Sequence, residues 1–105
     1  MNRKLLFTEE AETILKEISK NKSTKGLYSQ LLKTLTFLEN NPKHPSLKTH
    51  EYSSLKRKNG DKVWEAYVQN KTPGAYRVFF HYGPDEFKNG KRIPVITIIT
   101  IKPHP

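Results

Sequence analysis

Apolar residues recur every three or four places as far as Leu38 and roughly every second place beyond Leu47, so the chain reads as a helical half followed by a β half. Leu5-Leu6-Phe7 is a short apolar run ended by Thr8-Glu9-Glu10. This predicts an edge strand entering a helix, with Thr8 as N-cap and acids in the first turn. Ala11, Ile14, Leu15 and Ile18 then form one stripe, predicting a helix over 8–19. After a polar turn at 21–25, Leu27, Tyr28, Leu31, Leu32, Leu35 and Leu38 form a second stripe, which Asn40-Asn41-Pro42 stops.

In the second half, a linker at 43–46 leads to a poorly alternating polar strand over 47–55, placed near an edge, and Asn59-Gly60 signals a hairpin. The strand over 63–68 sends Trp64, Ala66 and Val68 one way and Val63, Glu65 and Tyr67 the other. After a turn at 72–74, the strand over 75–82 puts Tyr76, Val78, Phe80 and Tyr82 on the expected core face, with Ala75, Arg77, Phe79 and His81 opposite. A loop containing Gly83-Pro84-Asp85 and Asn89-Gly90 precedes the strand over 93–101, which is apolar on both faces and therefore expected inside the sheet. The expected architecture is α+β in one domain, 1–105. It comprises an N-terminal strand, a two-helix hairpin, and an antiparallel sheet of about four strands with the helices on one face. The other face is expected to be open and to carry Glu65, Tyr67, Arg77 and His81, with His104 just past the last strand.

Composition narrows the partners. Nineteen Lys and Arg against ten Asp and Glu give a formal charge of +9 on 105 residues. An anionic partner is expected, either nucleic acid or an acidic protein, and the two are compatible. With no cysteine, neither a disulfide framework nor a thiolate metal site is available. Histidines at 44, 50, 81 and 104 match no zinc spacing, and there is neither a carboxylate cage nor a Gly-rich phosphate loop, so no metal and no cofactor are expected. The apolar run after Arg3-Lys4 is too short for a secretory segment and no run is long enough to cross a membrane, which makes the cytoplasm the expected compartment.

Arg77 is the residue that most needs explaining, because a guanidinium inside Ala75-Tyr76-Arg77-Val78-Phe79-Phe80 requires either a partner or a task. One reading pairs it with Glu65 across neighbouring strands. The other makes it a phosphate clamp, a use for which the guanidinium fork is suited. His50 and His81 read as surface or packing histidines or as acid/base groups, and His104 either frays in Pro-His-Pro or acts at the strand exit. Lys48, Lys56, Arg57 and Lys58 read as a solvated basic edge that also meets phosphates. Trp64 and Tyr76 read as core, and Tyr67 as a surface on which a base can stack.

The order of elements resembles the RelE/ParE superfamily of toxins from bacterial type II toxin-antitoxin systems. The resemblance rests on Val63-Trp64-Glu65-Ala66-Tyr67-Val68, Tyr76-Arg77-Val78-Phe79-Phe80 and a final strand closing on His104, and covers nearly the whole chain. His44-Pro45-Ser46-Leu47-Lys48-Thr49-His50 is similar to the segment that precedes the sheet in RelE-like toxins. The resemblance implies an endoribonuclease that cuts messenger RNA on the ribosome, leaning on ribosomal RNA, and is held in a hetero-oligomer by an acidic antitoxin. It gives Arg77 the stabilisation of phosphate charge and His104 an acid/base role. The chain departs from the pattern in having Tyr67 near where a second arginine is common, and Lys48, His50 and Glu51 where some relatives rely on a carboxylate. It also stops one residue after His104, without the longer tail of several relatives.

RNA is cut without metal when its 2′-hydroxyl attacks the adjacent phosphate, one group takes that proton, another protonates the leaving 5′-oxygen, and a cation steadies the phosphate. The expected catalytic set is Arg77 as clamp with His104 and His50 as acid/base groups. Lys48, Tyr67, Lys56, Arg57 and Lys102 are expected to hold RNA. Two other readings stay open: a ParE-like inhibitor of DNA gyrase, against which Arg77 with His104 argues, and a non-catalytic RNA-binding module, which Tyr67 keeps in play.

Overall fold

In the computed structural model, which describes residues 2–56, 60–69 and 74–103, strand β1 (Lys4–Phe7) runs into helix α1 (Glu9–Lys20). Thr8 makes the junction. Its Oγ1 accepts from the Ala11 N–H at 3.1 Å and donates to the Ile99 carbonyl at 2.6 Å. The first turn of α1 carries Glu9, Glu10 and Glu12 and the last carries Lys20, both complementing the helix dipole. A 3-10 turn, Lys22–Thr24, leads to α2 (Lys25–Asn40), which buries Leu31, Thr34, Leu35 and Leu38. The Thr34 hydroxyl donates to the Tyr67 carbonyl at 3.1 Å and so ties α2 to the sheet.

Strands β2 (His50–Lys56), β3 (Lys62–Tyr67), β4 (Tyr76–Tyr82), β5 (Glu86–Lys88), β6 (Lys91–Ile93) and β7 (Val95–Pro103) follow. The main sheet has five strands in the order β1-β7-β4-β3-β2, and β5 with β6 makes a separate two-stranded ribbon. β7 is interior, as its apolar character predicts. β1 pairs with it in parallel while every other pairing in the main sheet is antiparallel, so the sheet is mixed. That pairing joins the first and last strands, and no local pattern encodes it.

Two segments differ from the reading of the sequence. Pro45–Leu47 is a 3-10 turn with Leu47 buried in the core, and the strand expected from position 47 begins at His50. The cause is local: His44 Nδ1 accepts from the Ser46 N–H, Pro45 opens the turn, and Lys48 closes it in the left-handed region at φ 46°. The loop after β4 contains the β5–β6 ribbon, whose turn has Asn89 at φ 52° and Gly90 at φ 76°, the two positive φ values of a tight hairpin. Three-residue strands are too short for a period of two to be visible.

The core lies between the helices and one sheet face, where Ala66, Val78, Phe80, Ile96, Ile98 and Ile101 meet Ala11, Ile18, Leu31, Leu35 and Leu38. The step from Ile98 to Ile101 breaks the alternation. Phe79 pairs with Thr100 and Phe80 with Ile98, leaving Ile99 as the extra residue of a bulge, so that all three isoleucines face the helices. Thr8 takes the carbonyl of that bulged residue.

The other face differs from the expected open platform. Val63, Glu65, Arg77, Phe79, His81 and Thr100 are all buried there. Aromatic side chains from neighbouring strands lie across it: Tyr52 meets Phe79 edge-on at 5.0 Å, and Tyr67 covers Arg77. Tyr82, on the expected core face, is exposed at the end of β4. Among the described residues no helix is long and apolar enough to cross a membrane.

Candidate functional site

Register decides the neighbours on the buried face. Tyr67 stands opposite Arg77, and Glu65 opposite Phe79. The Arg77 guanidinium carbon lies 3.6 Å from the centre of the Tyr67 ring, a close cation–π stack. Its Nη1 donates to the carbonyls of Gln69 at 2.7 Å and Tyr76 at 3.1 Å, which fixes the plane of the fork. Its Nε is buried and has no hydrogen-bond partner among the described residues. A buried donor left without an acceptor costs about 1–3 kcal/mol, a cost that an arriving oxyanion removes.

Glu65 is fully buried, and its Oε1 lies 2.7 Å from Nε2 of His50, its cross-strand partner on β2. The other ring nitrogen of His50, Nδ1, is 2.7 Å from the Lys48 carbonyl. A carbonyl only accepts, so Nδ1 carries a hydrogen, while Nε2 faces the Glu65 carboxylate at ion-pair distance. The left-handed backbone at Lys48 turns that carbonyl toward the ring. Both nitrogens of His50 are therefore engaged, and the ring can exchange a proton with a ligand only by releasing one of these partners.

Three predicted residues converge on Tyr67. Arg77 lies against its face, the Lys48 ammonium is 5.4 Å from its centre, and the His50 ring meets it edge-on at 6.1 Å. Lys102 is the register partner of Arg77 on β7, with its ammonium 5.3 Å from the Phe79 ring. The cluster thus brings together Arg77, His50, Lys48, Tyr67 and Lys102. The Lys56 side chain, Arg57 and His104 lie outside the described residues. His44, by contrast, stacks on Phe37 at 4.0 Å and caps the 3-10 turn, while His81 is buried in β4.

Glu65 is the member of this cluster that sequence reasoning cast only as a partner for Arg77. The available signal is a carboxylate alternating into an otherwise uncharged stretch, Val63-Trp64-Glu65-Ala66-Tyr67. Its pairing with His50 depends on register across β2 and β3.

A cleft of about 930 Å³ opens elsewhere, past the end of α2, lined by Arg3, Lys43, Lys48, Pro45, Trp64 and Tyr82 among others. Among its described lining residues there is no Asp or Glu. Trp64 and Tyr82 meet edge-on at 5.9 Å, and the Arg3 guanidinium lies 5.3 Å from the centre of the Tyr82 ring. Although Tyr82 remains 37% exposed, partial burial pushes its phenol above the ordinary pKa, and the charge of Arg3 partly offsets this. Lys48 is the residue this cleft shares with the Arg77 cluster.

No protein-family model matches the chain, and no curated protein matches it in sequence. Among solved structures, that of a YoeB dimer from Staphylococcus aureus matches over the whole of both chains, at 14% identity and a TM-score of 0.59. The chain folds as YoeB does. This agrees with the RelE-like architecture expected from the order of elements. In this YoeB-like fold the Arg77 cluster sits on β2, β3, β4 and β7, with Lys48 from the turn before β2, on the sheet face away from the helices.

Proposed function

We propose that the protein is the toxin of a bacterial toxin-antitoxin pair and that it acts as a metal-independent endoribonuclease on messenger RNA in the cytoplasm. The observation that carries this reading is Arg77: a buried guanidinium held in one plane by two carbonyls and a tyrosine ring, with its Nε unpartnered among the described residues. A fork fixed before its ligand arrives loses little freedom on binding, which suits it to phosphate charge that grows in the transition state. In the reaction, the 2′-oxygen forms a bond to phosphorus and the bond to the 5′-oxygen breaks. The proton from the 2′-hydroxyl goes to one acid/base group, and the 5′-oxygen receives one from the other. The His50–Glu65 couple, with Nε2 and Oε1 2.7 Å apart, is one of these groups, and His104 is the other. Tyr67 keeps Arg77 in plane, and Lys48 and Lys102 steady the strand, with Lys56 and Arg57 extending the basic edge.

The same field suits two partners. A charge of +9 favours ribosomal RNA, and hence cleavage in the ribosome. The cleft beside Trp64 and Tyr82, basic at its rim and without a lining carboxylate, suits an acidic antitoxin segment with an apolar anchor. The YoeB from Staphylococcus aureus is a dimer, which raises the same possibility of pairing for this chain.

A second reading is favoured by the engagement of both His50 nitrogens and by Tyr67 standing where a second arginine is common: an RNA-binding module without turnover. Induced expression with mapping of message 5′ ends separates the two. The nuclease gives new 5′ ends, and Arg77→Ala lowers their rate of appearance about 100- to 1,000-fold. A folded Arg77→Ala protein that cuts at the wild-type rate overturns the assignment. Arrest without new ends supports the binding module, and a DNA-damage response with intact messages points to gyrase.

A further inference from the structure

The β5–β6 ribbon carries two features that are each unfavourable in water. Phe87 is 76% exposed, the highest among the large hydrophobic side chains of the described residues. Lys88 and Lys91 stand directly opposite each other in the register, where like charges repel. Nearby acids are already engaged: Asp85 pairs with Arg92 at 3.0 Å and Glu86 with Lys4 at 3.0 Å. The root of the ribbon is well tied, since Asp85 also accepts from the Val95 N–H at 3.0 Å, and Gly83 bonds to Val95 at 2.7 Å and to the Thr97 hydroxyl at 2.9 Å. The structure thus has a stiff base and a bare, cationic, aromatic tip.

We infer that this tip is a second RNA contact, a grip for single-stranded RNA that crosses the ribbon, with a base stacked on Phe87 on one face and phosphates by Lys88 and Lys91 on the other. One ligand relieves both features, because every base offers a flat face and every linkage an anion. A folded protein partner suits the ribbon poorly. Three residues per strand present far less surface than the ~800 Å² per side of a stable protein interface, whereas one base and two phosphates need only a ring and two ammonium groups. The grip is separate from the Arg77 cluster: Arg77 and Tyr82 are five residues apart on β4, about 17 Å at ~3.3 Å per residue, and the ribbon begins beyond Tyr82. It holds RNA whether or not the protein cuts it.

The test uses a 2′-O-methyl oligouridine of about 12 nucleotides, which lacks the attacking hydroxyl and survives any nuclease of this mechanism; its binding is read by fluorescence anisotropy. Phe87→Ala weakens binding about tenfold and Phe87→Trp restores it, as stacking requires. Lys88→Gln with Lys91→Gln lowers the slope of log affinity against log salt by about 1.4, two phosphates at ~0.7 each. Unchanged thermal unfolding shows that these variants remain folded. Pelleting with empty ribosomes then identifies the strand: a loss for Phe87→Ala assigns it to ribosomal RNA, and an unchanged pellet beside weakened oligomer binding assigns it to the message. Equal oligomer affinity for wild type and Phe87→Ala overturns the proposal, as does a wild-type dimer that Phe87→Ala abolishes while RNA binding persists. Because the oligomer cannot be cut, these outcomes are independent of whether Arg77→Ala abolishes cleavage.

Discussion

Arg77 shows how a single charge is made tolerable inside a sheet. Two backbone carbonyls and a tyrosine ring take up its Nη1 and one face, leaving Nε buried and, among the described residues, without an acceptor. Strand alternation was enough to place Arg77 on the face away from Tyr76, Val78 and Phe80. It could not choose between Glu65 and a ligand as its counterpart, because register, not period, sets Tyr67 opposite Arg77 and His50 opposite Glu65. Tyr82 gives a pH test at the same scale. Its phenol has a folded-state pKa raised by burial, so the neutral form is the one the fold favours. That contribution is complete below the ordinary value of about 10 and is lost as pH rises through the higher folded value. Thermal stability of the wild type should therefore fall more steeply above about pH 10 than that of Tyr82→Phe, measured by circular dichroism melts. Parallel curves would show that the phenol does not contribute.

At the scale of elements, Thr8 does three things in one residue: it ends β1, caps α1 and holds the carbonyl of the bulged Ile99. Its capping role was legible from Thr8-Glu9-Glu10, but the bond to a residue 91 positions away was not. Thr8→Ala removes the cap, worth about 1 kcal/mol, and a second hydrogen bond worth about 1 kcal/mol. A loss of about 2 kcal/mol is expected in denaturant unfolding, with Thr8→Ser recovering most of it. If Thr8→Ala matches wild type, the bulge is held by packing alone. The β5–β6 ribbon and the turn at Pro45–Leu47 were hidden for a different reason. Each is three residues per element, shorter than the window in which a period of 2 or 3.6 can be recognised.

Across the whole molecule, basic groups gather at three places: the Arg77 cluster, the cleft beside Trp64, and the ribbon tip. If RNA neutralises about four cations, affinity for single strands falls about 50-fold between roughly 50 and 200 mM salt, at ~0.7 per phosphate. A salt-independent affinity would mean that charge is incidental to binding. The layered α+β arrangement itself was readable from the switch between helical and strand periods, while the parallel pairing of β1 with β7 was not. That pairing orders events in time. β1 emerges from the ribosome first, yet Lys4 finds its partner only when Val95 has been made, and until then β4 keeps one edge bare. Helices form in microseconds once free, but this sheet waits on its slowest, most distant contact. A growing chain thus carries Arg77 for some time before it has the strand that flanks it, since Lys102, its register partner, lies on β7.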